Sequence, residues 1–210
     1  MQTKRIEIFH RLLQDTYFRD FCIDNTKFPE AFAEKPENIK AIVLGADPTN
    51  PQGNFFEYVF GLENPNSPYF RSILMNLATI DLNLGNIYVQ NLCPNYFTNE
   101  TDKNIAYESI ASKYWLAYLK EDLDLRFNSH VPVLITAWKP LLVVAPDAEK
   151  FKDKKIAIYS QAVIFNQNFL GRPVFAFFRG GRRLGFNGFY DLKFPGFSEY
   201  KAQIKRCIFE

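Results

Sequence analysis

An aspartate stands directly after a short apolar run. Ala41-Ile42-Val43-Leu44 ends at Gly45, and Ala46-Asp47-Pro48-Thr49 follows. A carboxylate there can orient a water molecule and stabilise positive charge developing on a substrate. The glycine ahead of it permits close approach to the backbone, and the Asp-Pro step stiffens the turn. Asp-Pro is also a common turn dipeptide, so a purely structural role stays open. Thirteen residues after Asp47 comes Phe60, and Asn91 closes the run Val89-Gln90-Asn91. An aromatic face stacks on planar rings, and a carboxamide carries both donors and acceptors for the edge of a base. Taken singly, Phe60 also suits a core and Asn91 a turn.

These residues need elements to hold them. Ile6, Phe9, Leu12, Leu13 and Phe18 recur at roughly helical spacing, which predicts an amphipathic helix over residues 4–19. Residues 40–45 read as a buried strand ending at a loop. Ser67-Pro68 opens a second helix, with Ser67 as cap and Phe70, Ile73, Leu74, Leu77 and Ala78 on one face. Further strands are expected at 87–90, 131–137 and 174–178, and a longer helix at 103–120. Strands alternating with helices predict a three-layer α/β/α domain around a mainly parallel four-stranded sheet, spanning residues 1–210. Ligands of such sheets bind beyond the carboxyl ends of the strands, so the segments after Gly45, Asn91, Ala137 and Phe178 are the places to look.

The totals narrow the choice of partner. Net charge is only +2, yet Gly171–Glu210 holds eight Lys or Arg against three Asp or Glu. A basic segment on an otherwise near-neutral chain suits either a phosphate-binding surface or a solvated face. The 22 phenylalanines serve packing, stacking or both. Cys22, Cys93 and Cys207 are scattered without CxxC spacing, which argues for a reducing, cytoplasmic setting and against a disulfide framework or a cysteine-held metal site. The charged start Met1-Gln-Thr-Lys-Arg lacks the apolar run of a secretory signal, and no stretch has the length of a membrane span. Nucleotide loops of the Walker or dinucleotide type, and a Gly-x-Ser-x-Gly elbow, are missing from the sequence.

The ordered set resembles the uracil-DNA glycosylase superfamily. Gly-x-Asp-Pro after the first strand, an aromatic at Phe60, a Ser-Pro-opened helix, an Asn ending the next strand and the run Val133-Leu134-Ile135-Thr136-Ala137-Trp138 occur in the family's order, over roughly residues 40–206. The resemblance implies a cofactor-free and metal-free enzyme of DNA repair, acting as a monomer on DNA from which the target base has been flipped. Asp47 would orient the attacking water and stabilise the sugar cation. Phe60 would stack on the base, Asn91 would bond its edge, and Ala46 and Thr49 would complete its pocket. Ser67, Lys139, Gly180, Gly181, Arg182, Arg183 and Leu184 would contact DNA, with Leu184 as the wedge filling the vacated stack.

Two departures qualify the comparison. The position of a tyrosine that excludes thymine in the best-known branch is Thr49 here, so strict rejection of a 5-methyl group is not expected. The family's His-Pro-Ser type loop, whose histidine stabilises the departing base, is replaced by Phe178-Arg179-Gly180-Gly181-Arg182-Arg183-Leu184. The two histidines, His10 and His130, fall elsewhere. Arg179 is the nearest substitute. It would donate to the base oxygen, or the backbone N–H groups around Gly180 and Gly181 would form an anion nest, or the loop would bind phosphate without turnover. A binding protein on the same fold, for nucleic acid or for a free nucleobase, is the alternative to an enzyme.

Overall fold

The computed structural model of the chain describes residues 2–48, 55–64, 68–179 and 195–210, without the side chains of Pro68, Tyr69 and Pro195. Helix α1 (Gln2–Gln14) leads into strand β1 (Ala41–Gly45), helix α2 (Pro68–Ala78) and strand β2 (Ile87–Asn91). Helix α3 (Tyr107–Ile110) continues through a π-helical turn (Ala111–Trp115) into α4 (Leu116–Arg126). Strand β3 (Val133–Ile135), helices α5 (Trp138–Val144) and α6 (Ile156–Ser160), strand β4 (Val174–Ala176) and helix α7 (Pro195–Phe209) complete the order.

The four strands are parallel in the order β2-β1-β3-β4. All their residues are buried, as expected of an apolar sheet covered on both faces. Register assigns the faces. Tyr88 aligns with Ile42, Val133 and Val174, whereas Phe175 is one residue out of step and points the other way. The Tyr88 hydroxyl reaches Asp122 of α4, and the Phe175 ring lies 5.8 Å from that of Tyr200 on α7. Helices α4 and α7 therefore cover opposite faces, and the fold is a three-layer α/β/α sandwich. Single antiparallel bridges, Phe32 to Val89 and Phe165 to Val174, close the two outer edges of the sheet.

The strands expected at 131–137 and 174–178 are shorter, Val133–Ile135 and Val174–Ala176, and two helix boundaries also differ from the sequence reading. Helix α1 stops at Gln14 rather than running to residue 19, because the Asp15 carbonyl accepts from the N–H groups of Phe18 and Arg19 and turns the chain. The helix expected from residue 103 begins at Tyr107 and runs to Arg126. Residues 100–104 form a turn in which the Asn104 N–H donates to Glu100 O, and Asn104 Oδ1 accepts from the N–H of Ala106. Among the described residues no helix is long and apolar enough to cross a membrane.

Candidate functional site

The register that pairs Gly45 with Asn91 and Ile135 with Ala176 brings the four strands to one carboxyl edge. Hydrogen bonding continues past the strands. The N–H of Leu92 donates to Gly45 O, and that of Cys93 to Ala46 O, both at 2.9 Å. The buried Tyr107 hydroxyl donates to the same Ala46 carbonyl at 3.1 Å. These bonds fix the backbone immediately before Asp47.

Asp47 is half-buried, and its Oδ1 accepts a hydrogen bond from the Thr101 hydroxyl. Thr101 belongs to the turn after β2, which is tied down from the far side of the sheet edge: Lys139 Nζ donates to Asn104 O at 2.7 Å. Burial, and after it the Asp47 charge, hold the Cys93 thiol well above its ordinary value. Burial, then Cys93 and Asp47, do the same for the Tyr107 phenol. Both groups stay protonated at neutral pH, so Tyr107 remains a donor to Ala46 O.

Asn91 and Phe60 meet over Gly45. A β-carbon built on Gly45 would collide with Asn91 Oδ1 and with Phe60 Cζ, and would stand 2.9 Å from Phe60 Cε2. Only glycine leaves room for both side chains. Asn91 is 3% exposed, and its Nδ2 has no hydrogen-bond partner among the described residues. A buried amide donor without a partner is costly, about 1–3 kcal/mol, and marks a position where a ligand can supply the acceptor.

Phe60 has φ 62° and ψ 10°, the left-handed region that is strained for a bulky side chain. Its neighbours enforce it. The Val59 N–H donates to Glu30 O, the Glu30 N–H donates to Glu57 O, and the segment at Phe32 bridges to Val89 of β2. The left-handed turn directs the ring toward Gly45, where it packs 5.7 Å from the Phe70 ring of α2. Strain maintained by surrounding hydrogen bonds is a common feature of binding sites.

Arg179 stands on the same edge. Its N–H donates to Thr136 O at 3.0 Å, and the N–H and hydroxyl of Thr136 donate to Leu44 O at 2.9 and 3.1 Å. The arginine backbone is thus linked through β3 to the end of β1, and its side chain is half-buried. His10 and His130 are exposed, on α1 and ahead of β3, away from the carboxyl edge. Asp47, Ala46, Phe60, Asn91 and Arg179 are brought to one edge, whereas Lys139 commits its ammonium to the Thr101 turn. Thr49, Ser67, Gly180, Gly181, Arg182, Arg183 and Leu184 lie outside the described residues.

Thr101, Tyr107, Cys93 and Thr136 are the residues that sequence reasoning missed. Thr101 contacts Asp47 across 54 positions, and a polar turn residue carries no periodic signal that would announce the contact. Tyr107 falls inside the helix expected at 103–120 without a signal of its own, and it is the first residue of α3. Among the described residues no group of three His, Cys, Asp or Glu side chains is arranged to hold a metal ion.

The arrangement sets an aromatic ring and a carboxamide, groups able to stack on and hydrogen-bond a planar polar ring, side by side over Gly45, with a carboxylate two residues beyond it. No protein-family model and no curated protein matches this chain, so the functional reading rests on this geometry and on the ordered motif residues.

Proposed function

We propose that the chain is a DNA glycosylase of the uracil-DNA glycosylase type, hydrolysing the N-glycosidic bond of uracil or a related damaged base in DNA. The observation that carries this reading is the meeting of Asn91 and Phe60 over Gly45, just ahead of Asp47. An amide donor without a partner among the described residues, beside an aromatic ring, suits a flipped base, which must be stacked and read at its edge.

The chemistry follows from the charges. The bond between the base nitrogen and C1′ of the sugar breaks, and its electron pair leaves with the base. Asp47 stabilises the cationic sugar and orients a water molecule whose oxygen adds to C1′. The water gives one proton to the carboxylate, and the departing base anion takes a proton from solvent. Thr101 holds one Asp47 oxygen, limiting the orientations of the carboxylate. Arg179 supplies positive charge for the base anion. Arg182 and Arg183 contact backbone phosphates, and Leu184 fills the gap in the stack. The partner is DNA and the working unit is the monomer.

A nucleobase- or nucleic-acid-binding protein without turnover is the second reading. It is favoured by the residue at the leaving-group position, a permanently charged arginine where a histidine would be expected. Incubation with a single-stranded oligonucleotide carrying one deoxyuridine decides between them. Release of free uracil, leaving an alkali-labile site, supports the glycosylase. Retention of the intact oligonucleotide without release supports the binding protein.

A further inference from the structure

A cavity of about 450 Å³ lies away from this site, with Arg5, Glu30, Ile39, Tyr88, Arg126 and Phe127 among its lining residues. Tyr88 points from β2 to the α4 face, whereas Asn91 is an odd number of residues away and points to the other. The cavity and the Asn91 side chain are therefore on opposite faces of the sheet. Its volume falls in the ~300–1,000 Å³ range of small-molecule pockets.

Two guanidiniums give it its character. Arg5 is 5% exposed, and its Nε donates to the Tyr118 hydroxyl at 2.9 Å. Its acidic partner, Glu30, is 3.7 Å from Nη1 and half in solvent, well beyond the ~2.7–2.9 Å of a charge-assisted hydrogen bond. Arg126 directs Nε to the buried Asp122 at 3.0 Å and lies over the Tyr88 ring. The Tyr88 hydroxyl donates its proton to Gln90 Oε1 at 2.7 Å and approaches Asp122 Oδ2 only to 3.5 Å. The buried carboxylate thus serves Arg126, and among the described residues the carboxylate paired with the buried Arg5 is the solvent-facing Glu30, at 3.7 Å. A buried cation in that condition is costly unless an anion meets it. The rest of the lining is largely apolar, Ala31, Ala33, Pro36, Ile39 and Phe127.

We propose that this cavity binds a small organic oxyanion, a carboxylate or phosphate monoester on an apolar body. The oxyanion meets the outer edges of the Arg5 and Arg126 guanidiniums, and the apolar body lies against Ile39 and Phe127. Carboxylate and phosphate share this recognition, because both accept the fork of a guanidinium.

The test is titration calorimetry of the full chain with benzoate, phenyl phosphate and benzyl alcohol as the neutral control. Saturable one-to-one binding of benzoate or phenyl phosphate, without binding of benzyl alcohol, is expected, and the preferred anion identifies the head group. Arg126→Gln weakens that binding about tenfold or more. Ala33→Phe, which fills the cavity and leaves both arginines in place, abolishes it, and carries the test if Arg126→Gln does not fold. Asp47→Asn leaves binding unchanged. Absence of binding by both anions, equal binding of benzyl alcohol, unchanged binding in Ala33→Phe, or loss of binding in Asp47→Asn each overturns the proposal.

Discussion

The carboxamide oxygen of Asn91 and the tip of the Phe60 ring both reach into the space that a side chain on Gly45 would fill. One comes from the end of β2 and the other from a left-handed turn, and they converge on the last residue of β1. The glycine there is a condition of that convergence rather than a feature of the strand.

Gly45→Ala is therefore expected to displace both side chains at once. The added methyl costs about 1–3 kcal/mol of stability through overpacking. Because a misplacement of about 1 Å can cost 10²-fold in rate, uracil release is expected to fall by about 100-fold. Chemical denaturation and single-turnover release, measured on the same preparation, check the two effects.

The left-handed backbone at Phe60 makes an unusual ranking testable. Phe60→Ala loses the packing of the ring, about 3–5 kcal/mol, and keeps the unfavourable φ of 62°. Phe60→Gly loses the same packing but relieves the strain, so it is expected to be about 1 kcal/mol more stable than the alanine variant. Urea unfolding of the pair checks the order. Greater stability of the alanine variant would show that the turn stores no strain.

Thr101 acts on Asp47 without contacting a substrate, which makes it a positioning residue. Thr101→Val removes the hydroxyl and keeps the shape. It is expected to slow release about tenfold with oligonucleotide affinity unchanged, and Thr101→Ser is expected to restore the rate. Rates at enzyme excess, with affinities from anisotropy, separate the two effects.

Asp15 provides a pH test of the fold. Hydrogen bonds from Lys113 at 2.8 Å and from Tyr114 at 2.7 Å hold its carboxyl at about 2, below the ordinary 3.8. A depressed folded value stabilises the fold above the unfolded value, and the contribution is lost as pH falls through the folded one. The melting temperature of the wild type is expected to exceed that of Asp15→Asn at pH 7, with the gap closing as the pH approaches 2. A gap that persists at pH 2 would show that the carboxylate charge is not its source.

The strands and their carboxyl edge were legible because each combines an apolar run with a residue that stops it, Gly45 and Asn91 most clearly. Convergence of Asp47 and Asn91 followed from order along the chain, since a parallel sheet returns every strand to the same edge, whereas Phe60 reaches that edge from a left-handed turn. Helix ends were less legible. Asp15 and Asn104 each redirect the chain through local hydrogen bonds that compete with helix, and hydrophobic spacing does not register that competition. Thr101 on Asp47 and the Arg5–Arg126 cavity join residues from distant parts of the chain, and nothing local in the sequence marks them. The short helices α5 and α6 were missed because Trp138–Val144 and Ile156–Ser160 are nearly uniform apolar runs too brief to show a period.

The most direct measurement compares wild type with Asp47→Asn on a single-stranded oligonucleotide carrying one deoxyuridine, at enzyme excess, reading free uracil and alkali-induced strand breaks. Release by the wild type, abolished or strongly reduced in Asp47→Asn while oligonucleotide affinity is retained, is the predicted result. Equal release by both proteins, or no release by the wild type, would contradict it.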